Sequence, residues 1–418
     1  MSKPSPLSRS SSSESLVESS SHETPIAKEQ TESPPILKSK PNRSEKQGLY
    51  QSSVNTARNR SNQNIRKEFK EKIDEAMQLN QAKAQQWEKF SKNVDSNGIL
   101  NLKNFSALEV ANVGEWLRLS PDIKLTGLDI AGGNIDKSTV TALAKILKAN
   151  TSITTFILFN NSLSAECIKD LAGVISNSRI TTLELARNAI GAEGTKVLAS
   201  AIAKSPVTSL IISEDEIGHV GAKALADAIP ASKIRKLKLV SCAIGRDGAI
   251  DLADSITKSG VTELFLNSNK IGIEGGEALA KAITQSRINT LSLRGEHIGN
   301  KGTEALTEAL HSSKVANLEL VCASFSQKGI ASIARLINSN NYIKNLNLAH
   351  NNIDDEGLKL LADSIFNSAV NNLDISFNDI TDKSLEALGH LKRNNSSIKT
   401  IDLLGNGIKK INNNKKHD

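Results

Sequence analysis

From Leu125 onward the apolar positions of the chain fall into one recurring phrase. It reads as an apolar residue, two spacers, Leu, one spacer, Leu, two spacers, often Asn, one spacer, Ile, and then a stretch with helical spacing. Two copies show it in full: Ile180-Thr-Thr-Leu183-Glu-Leu185-Ala-Arg-Asn188-Ala-Ile190 and Val261-Thr-Glu-Leu264-Phe-Leu266-Asn-Ser-Asn269-Lys-Ile271. The Asn-type position falls at 133, 161, 188, 215, 242, 269, 296, 323, 351, 378 and 406, always at intervals of 27 or 28 residues. Eleven copies at a fixed period predict an array of like units instead of a series of unlike domains.

The alternation in Leu183-Glu184-Leu185 puts both leucines on one face of a short strand, with Thr182, Glu184 and Ala186 on the other. Several units then carry a Gly-x-x-Gly turn, as at Gly191 and Gly194 or Gly218 and Gly221, followed by a helix with apolar residues four apart, Leu198 and Ile202 or Leu225 and Ile229. Paired strands lie about 4.8 Å apart, whereas packed helices need about 8–10 Å. A stack of such units must curve, strands inside and helices outside. A unit alone would leave its large apolar residues wet, and burying each is worth about 1.5–3 kcal/mol, so stability has to come from neighbours. Six of the eleven Asn-type positions are Asn, whose amide supplies donor and acceptor together. Gly133, Asp215, Cys242, Glu296 and Ala323 depart from this, which predicts a ladder interrupted in the middle of the array, with a structural role for Cys242.

The pattern resembles the leucine-rich repeat family, and the unit length with a helix in each unit resembles the ribonuclease-inhibitor subclass also found in NOD-like receptors. The resemblance covers 125–411 and implies an α/β solenoid, a curved horseshoe with parallel strands on the concave face and helices on the convex face. No Gly-x-x-x-x-Gly-Lys-Ser/Thr stretch occurs, so the nucleotide-binding module of NOD-like receptors is not expected.

Outside the repeats the patterning changes. Residues 1–60 hold 16 Ser and 6 of the 9 Pro, too little apolar surface to offset ordering, and predict a disordered tail. Within 61–97, Ile65, Phe69, Ile73, Met77, Ala84, Trp87 and Phe90 form one apolar stripe of an amphipathic helix. The stripe between 64 and 91 has three destinations: the repeats, a second copy in an otherwise monomeric protein, or a partner. Residues 98–124 predict a capping helix containing Trp116 and Leu117, and 412–418 a basic polar tail.

Net charge is +7, but residues 1–60 carry 9 basic and 6 acidic side chains, and Lys409, Lys410, Lys415 and Lys416 crowd the end of the chain. The repeats between are close to neutral, which argues against nucleic acid, because phosphate binding needs a concentrated cationic surface. No run of about 18 apolar residues exists, so no membrane insertion is expected. Residues 1–21 contain no apolar stretch longer than Leu16-Val17, so no classical signal peptide is read there. The expected location is the cytoplasm, or a host cell reached by a non-classical route. Cys167, Cys242 and Cys322 are too few and too scattered for a disulfide framework or a four-ligand zinc site, and no metal or other cofactor is expected.

Repeat geometry also limits catalysis. Cys322 and His350 occupy the same phase of adjacent units, about 5 Å apart by strand spacing, the one pair close enough for a thiolate–imidazole dyad. No further side chain orients the His, and no enzyme activity is expected. The outward strand positions place Ile157, Phe159, Ile211, Val240 and Phe265 together, bordered by charged residues that include Glu184, Lys238 and Arg294. An apolar group inside a polar rim is what a protein partner requires. The sequence therefore points to a non-enzymatic scaffold gripping a protein in its concave face, with a bacterial effector acting in a host cell as one form. The alternative is a GTPase activator similar to the Ran GTPase-activating protein, whose repeats are of this subclass.

Overall fold

The computed structural model describes residues 67, 70–72, 81–119, 123–133, 135–394 and 397–409. The chain divides into two units, Met1–Ala57 and Arg58–Asp418. The first lies wholly outside the described residues, as do Ile65, Phe69, Ile73 and Met77 of the apolar stripe and the 412–418 tail.

In the second unit twelve strands form one parallel sheet in chain order. They are β1 (Ile99–Lys103), β2 (Gly127–Ala131), β3 (Thr155–Phe159), β4 (Thr182–Ala186), β5 (Ser209–Ser213), β6 (Lys236–Val240), β7 (Glu263–Phe265), β8 (Thr290–Ser292), β9 (Asn317–Glu319), β10 (Asn345–Asn347), β11 (Asn372–Asp374) and β12 (Thr400–Asp402). A helix follows each strand from β1 to β11, and successive helices pack on one another. The register keeps equivalent residues in line, Leu100 beside Leu128, then Phe156, Leu183, Leu210 and Leu237, all fully buried. The chain is thus an open solenoid whose core is a double column of Leu and Ile closed by the helices' inner faces.

Strand β1 adds a unit to the eleven read from the sequence. Residues 98–124 hold not only the helix Ala107–Leu119 but a strand before it, so this segment is itself a strand–helix unit. The end of the stack is covered by the helix Gln81–Lys92, which buries Trp87 and Phe90. Phe90 lies 5.5 Å from the Phe105 ring and 6.1 Å from that of Trp116. Lys89 closes the cluster from outside, its Nζ 4.4 Å from the Phe105 centroid and 3.0 Å from Glu109. The described end of the stripe therefore packs on the repeats.

Each strand ends in a left-handed residue, such as Arg187 at φ 55°, Glu214 at 56° or His350 at 58°, and a second follows the Asn-type position, as at Ala189 and Lys270. These non-glycine residues tolerate an unfavourable φ because the turn keeps the ladder running: Arg187 N–H donates to Ser213 O at 3.0 Å and Glu214 N–H to Val240 O at 2.9 Å. The second glycine of the Gly-x-x-Gly turn answers a different need. A Cβ on Gly248 would sit 2.8 Å from Ala222 Cβ and 3.3 Å from His219 Cα, neither of which can swing aside, so glycine lets the helix enter this close to its neighbour.

Side chains at the Asn-type position hold the turns from inside. Asn188 donates to Leu158 O at 2.9 Å and its amide oxygen accepts from Asn161 N–H at 3.1 Å, and Asn269 repeats this with Leu239 O and Cys242 N–H at 2.9 Å each. The expected interruption is narrower than the sequence predicts. Asp215 accepts from Asn188 N–H at 2.6 Å, and Glu296 accepts from Asn269 N–H at 2.6 Å and Ile271 N–H at 2.9 Å. Cys242 is fully buried and its Sγ donates to Ile212 O at 3.3 Å, while burial pushes its thiol up to about 12. Acidic side chains and a thiol thus stand in for half of what an amide does.

Replacing Asn351 tests the ladder, because it accepts Ala323 N–H at 2.8 Å and donates to Leu320 O at 2.6 Å. Asn351→Ala is expected to cost about 2–4 kcal/mol in urea unfolding, since it strands buried backbone groups. A loss under about 0.5 kcal/mol, the level of an ordinary surface change, would show that the turn holds without it.

Candidate partner-binding face

The register of the sheet decides which outward residues meet. Ile157, Glu184, Ile211, Lys238 and Phe265 stand side by side on β3 to β7, and Phe159, Ala186, Ser213 and Val240 form the next column. The structure therefore brings seven of the eight sequence-predicted face residues onto neighbouring strands. Arg294 lies two residues past the end of β8 and is exposed at the margin. The apolar residues are not continuous, because Glu184 and Lys238 alternate with Ile157, Ile211 and Phe265 in the first column.

Phe159 is 40% exposed, and Ile157, Ile211, Val240 and Phe265 are half-buried. Each aromatic ring is covered by a cation that is itself paired. The Arg187 guanidinium lies 5.6 Å from the Phe159 centroid and grips Glu214 in a two-point contact of 2.8 and 3.1 Å. Hydrogen bonding to Glu214 raises the Arg187 pKa further, so the group stays charged. Lys236 Nζ lies 5.2 Å from the Phe265 centroid and 3.2 Å from Glu263. Sequence reasoning missed Arg187, although its phase, one residue before Asn188, places it at the strand's end on the same edge as Glu214 one unit on. It also left aside Asp129, which stands beside Ile157 in the register, has a buried Oδ1 without a hydrogen-bond partner, and has its pKa raised by burial.

Farther along, the same face turns polar. Thr290, Asn317, Asn345, Asn372 and Thr400 are joined by side-chain hydrogen bonds of 2.5–2.8 Å running across five strands. In the adjacent column Ser292 donates to Glu319 at 2.7 Å and Asn347 to Asp374 at 2.7 Å. Amides and carboxylates here satisfy one another within the strands, while Phe377 and Leu404 just past the ends of β11 and β12 remain exposed.

Cys322 and His350 do sit in adjacent left-handed turns, but no hydrogen bond joins them among the described residues. His350 stacks on Phe377 instead, with centroids 4.5 Å apart and planes within 5°. No group of three or more His, Cys, Asp or Glu that could hold a metal occurs among the described residues. No helix among them is long and apolar enough to cross a membrane.

A stacked array of strand–turn–helix units with in-register leucines defines a solenoid repeat protein. A leucine-rich repeat family model matches residues 176–199, 261–280, 339–362 and 367–389, and the protein is a leucine-rich repeat protein. No curated protein matches the chain. Among solved structures it is similar to the crystal structure of the yeast Rad7 and Elc1 complex, at 15% identity over 86% of this chain and 98% of that one, with a TM-score of 0.54. It is also similar to the leucine-rich repeat-containing protein LegL7 of Legionella pneumophila, at 19% identity over 72% and 99% of the two chains, with a TM-score of 0.47.

The stacking of His350 on Phe377 makes a specific forecast. If no dyad exists, His350→Ala leaves the rate of Cys322 alkylation by iodoacetamide at neutral pH within about twofold of wild type. A drop on the order of tenfold would restore the dyad, since activated thiolates owe that much to their base.

Proposed function

We propose that this protein is a non-enzymatic scaffold that binds a protein partner through the concave face of its repeats, with Ile157, Phe159, Ile211, Val240 and Phe265 at the centre and Glu184, Lys238 and Arg294 at the border. The observation that carries this reading is the pair of aromatic side chains on β3 and β7, Phe159 exposed and Phe265 half-buried, each overlaid by a paired cation. Rigid aromatics with a polar surround supply affinity at low entropic cost. The helix in every unit supports the ribonuclease-inhibitor subclass. The Lys-, Asn- and Ile-rich composition and the Ser-rich start support delivery into a host cell as a bacterial effector, with cytoplasmic action in either case.

Phe159→Lys together with Phe265→Lys is expected to reduce partner capture from host and own-cell lysates at least tenfold while leaving cooperative unfolding intact. Undiminished capture by the folded double variant would move the binding site off this face. The competing reading, activation of a Ran-type GTPase, predicts faster GTP hydrolysis at micromolar protein, and such acceleration would overturn the non-enzymatic assignment.

A further inference from the structure

The two edges of the sheet are finished unequally. At the first, the chain turns back and closes its own strand: Asp95 N–H donates to Ile99 O and Asn101 N–H to Asn93 O, both at 2.9 Å, and an antiparallel bridge joins Val94 to Leu100. The helix Gln81–Lys92 covers the core behind them with Trp87 and Phe90. At the other edge stands β12. Thr400 N–H donates to Asn371 O at 3.2 Å, and the Asp402 and Leu404 carbonyls accept from Ile375 and Phe377 at 3.0 and 2.6 Å. These residues spend their backbone on β11. Ile401 and Leu403 alternate with them and direct their amides away from β11, as Ile375 one strand earlier directs its own toward β12.

The core is open at the same place. Val370, Leu373 and Ile375 are at most 1% exposed, whereas their counterparts Ile398, Ile401 and Leu403 are only partly buried and Leu404 is 67% exposed. Residues 410–418, Lys-Ile-Asn-Asn-Asn-Lys-Lys-His-Asp, carry one aliphatic side chain, Ile411, too little to replace the apolar face of a further unit. A strand edge above an uncovered aliphatic layer accepts another strand with apolar residues behind it.

The charges select which strand. The last helix, Leu385–Asn394, has Glu386 exposed in its first turn and Lys392 and Arg393 exposed in its last. Around β12 the order of signs is reversed, with Lys399 exposed just before the strand and Asp402 exposed at its end. Each element therefore carries opposite signs at opposite ends. A second copy related by a two-fold axis runs antiparallel, which sets Glu386 toward the other copy's Lys392 and Arg393, and Lys399 toward its Asp402. A parallel neighbour of the same sequence would face like charges with like.

We propose that the β12 edge is a dimerisation surface, on which a second copy of this chain adds its own β12 antiparallel across a two-fold axis and lays its last helix beside that of the first. The contact is self-complementary and closes at two copies, because the β1 edge that continued stacking would need is already occupied by residues 93–95. It joins two sheets into one and sets two concave faces side by side, and it does not depend on what those faces bind.

Sedimentation velocity of the full chain from about 1 to 100 µM tests this, with a species of twice the 44.9 kDa chain mass as the expected result. Leu404→Lys and Glu386→Arg are each expected to raise the dimer dissociation constant about tenfold. Both replaced side chains are exposed, so neither variant disturbs the core. Adding Lys392→Glu and Arg393→Glu to Glu386→Arg is expected to return the constant to within about threefold of wild type, a rescue that damage to the fold does not produce. Hydrogen exchange at the Ile401 and Leu403 amides is expected to slow as protein concentration rises. A monomer throughout the concentration range, or a dimer that neither single variant weakens, overturns the proposal. Protection of those two amides that does not change with concentration overturns it as well and assigns the edge to residues 410–418.

Discussion

The structure depends on what happens where a parallel strand stops. The backbone must leave the sheet, turn through two left-handed residues and enter a helix, and every turn buries N–H and C=O groups that water cannot reach. A side chain in the following unit satisfies them: Asn188 closes the turn of the unit before it, and Asp215 closes that of Asn188. No unit completes its own hydrogen bonding, so folding is bound to neighbours through polar as well as apolar contacts. The leucine columns would tolerate a slip in packing depth, whereas the ladder fixes register to the residue.

That dependence explains why the ends of the array are built differently. At the start, the helix Gln81–Lys92 supplies an aromatic plug of Phe90 against Phe105 and Trp116 in place of another unit's leucines. At the far end Asn406 still closes the preceding turn by accepting Ile380 N–H at 3.1 Å and donating to Ile375 O at 2.9 Å. Leu404, beside which no further strand stands among the described residues, is 67% exposed.

Much of this was legible in the sequence because the constraint is periodic. The 27-residue spacing placed the strands β2 to β12, the inward leucines and the outward columns with no knowledge of tertiary contacts. Strand β1 escaped, although Leu100 and Leu102 stand 28 residues before Leu128 and Ile130, because Phe105 occupies the Asn-type position and hides the phrase. The roles of Asp215 and Glu296 were read as breaks, since residue type alone does not show that one carboxyl oxygen reproduces an amide oxygen. Arg187 was missed for a related reason. Its significance lies in a distance to Phe159 and a fork onto Glu214, both of which arise from the left-handed turn rather than from strand alternation.

The cover over the two aromatics sets how the face can be used. An exposed ion pair contributes roughly 0–1 kcal/mol, and a cation over a ring at an exposed site about 0.5–1 kcal/mol. Moving Arg187 or Lys236 aside therefore costs less than a single buried aromatic returns, roughly 1.5–3 kcal/mol. The cations are too weakly held to shut the face and too well paired to leave it charged. They shield apolar rings from water in the free protein while presenting no net charge, which disfavours chance association with acidic surfaces. On the proposed reading, a partner that fills the space above Phe159 and Phe265 gains the rings and keeps the option of the charges, because Arg187 is paired with Glu214 and Lys236 with Glu263.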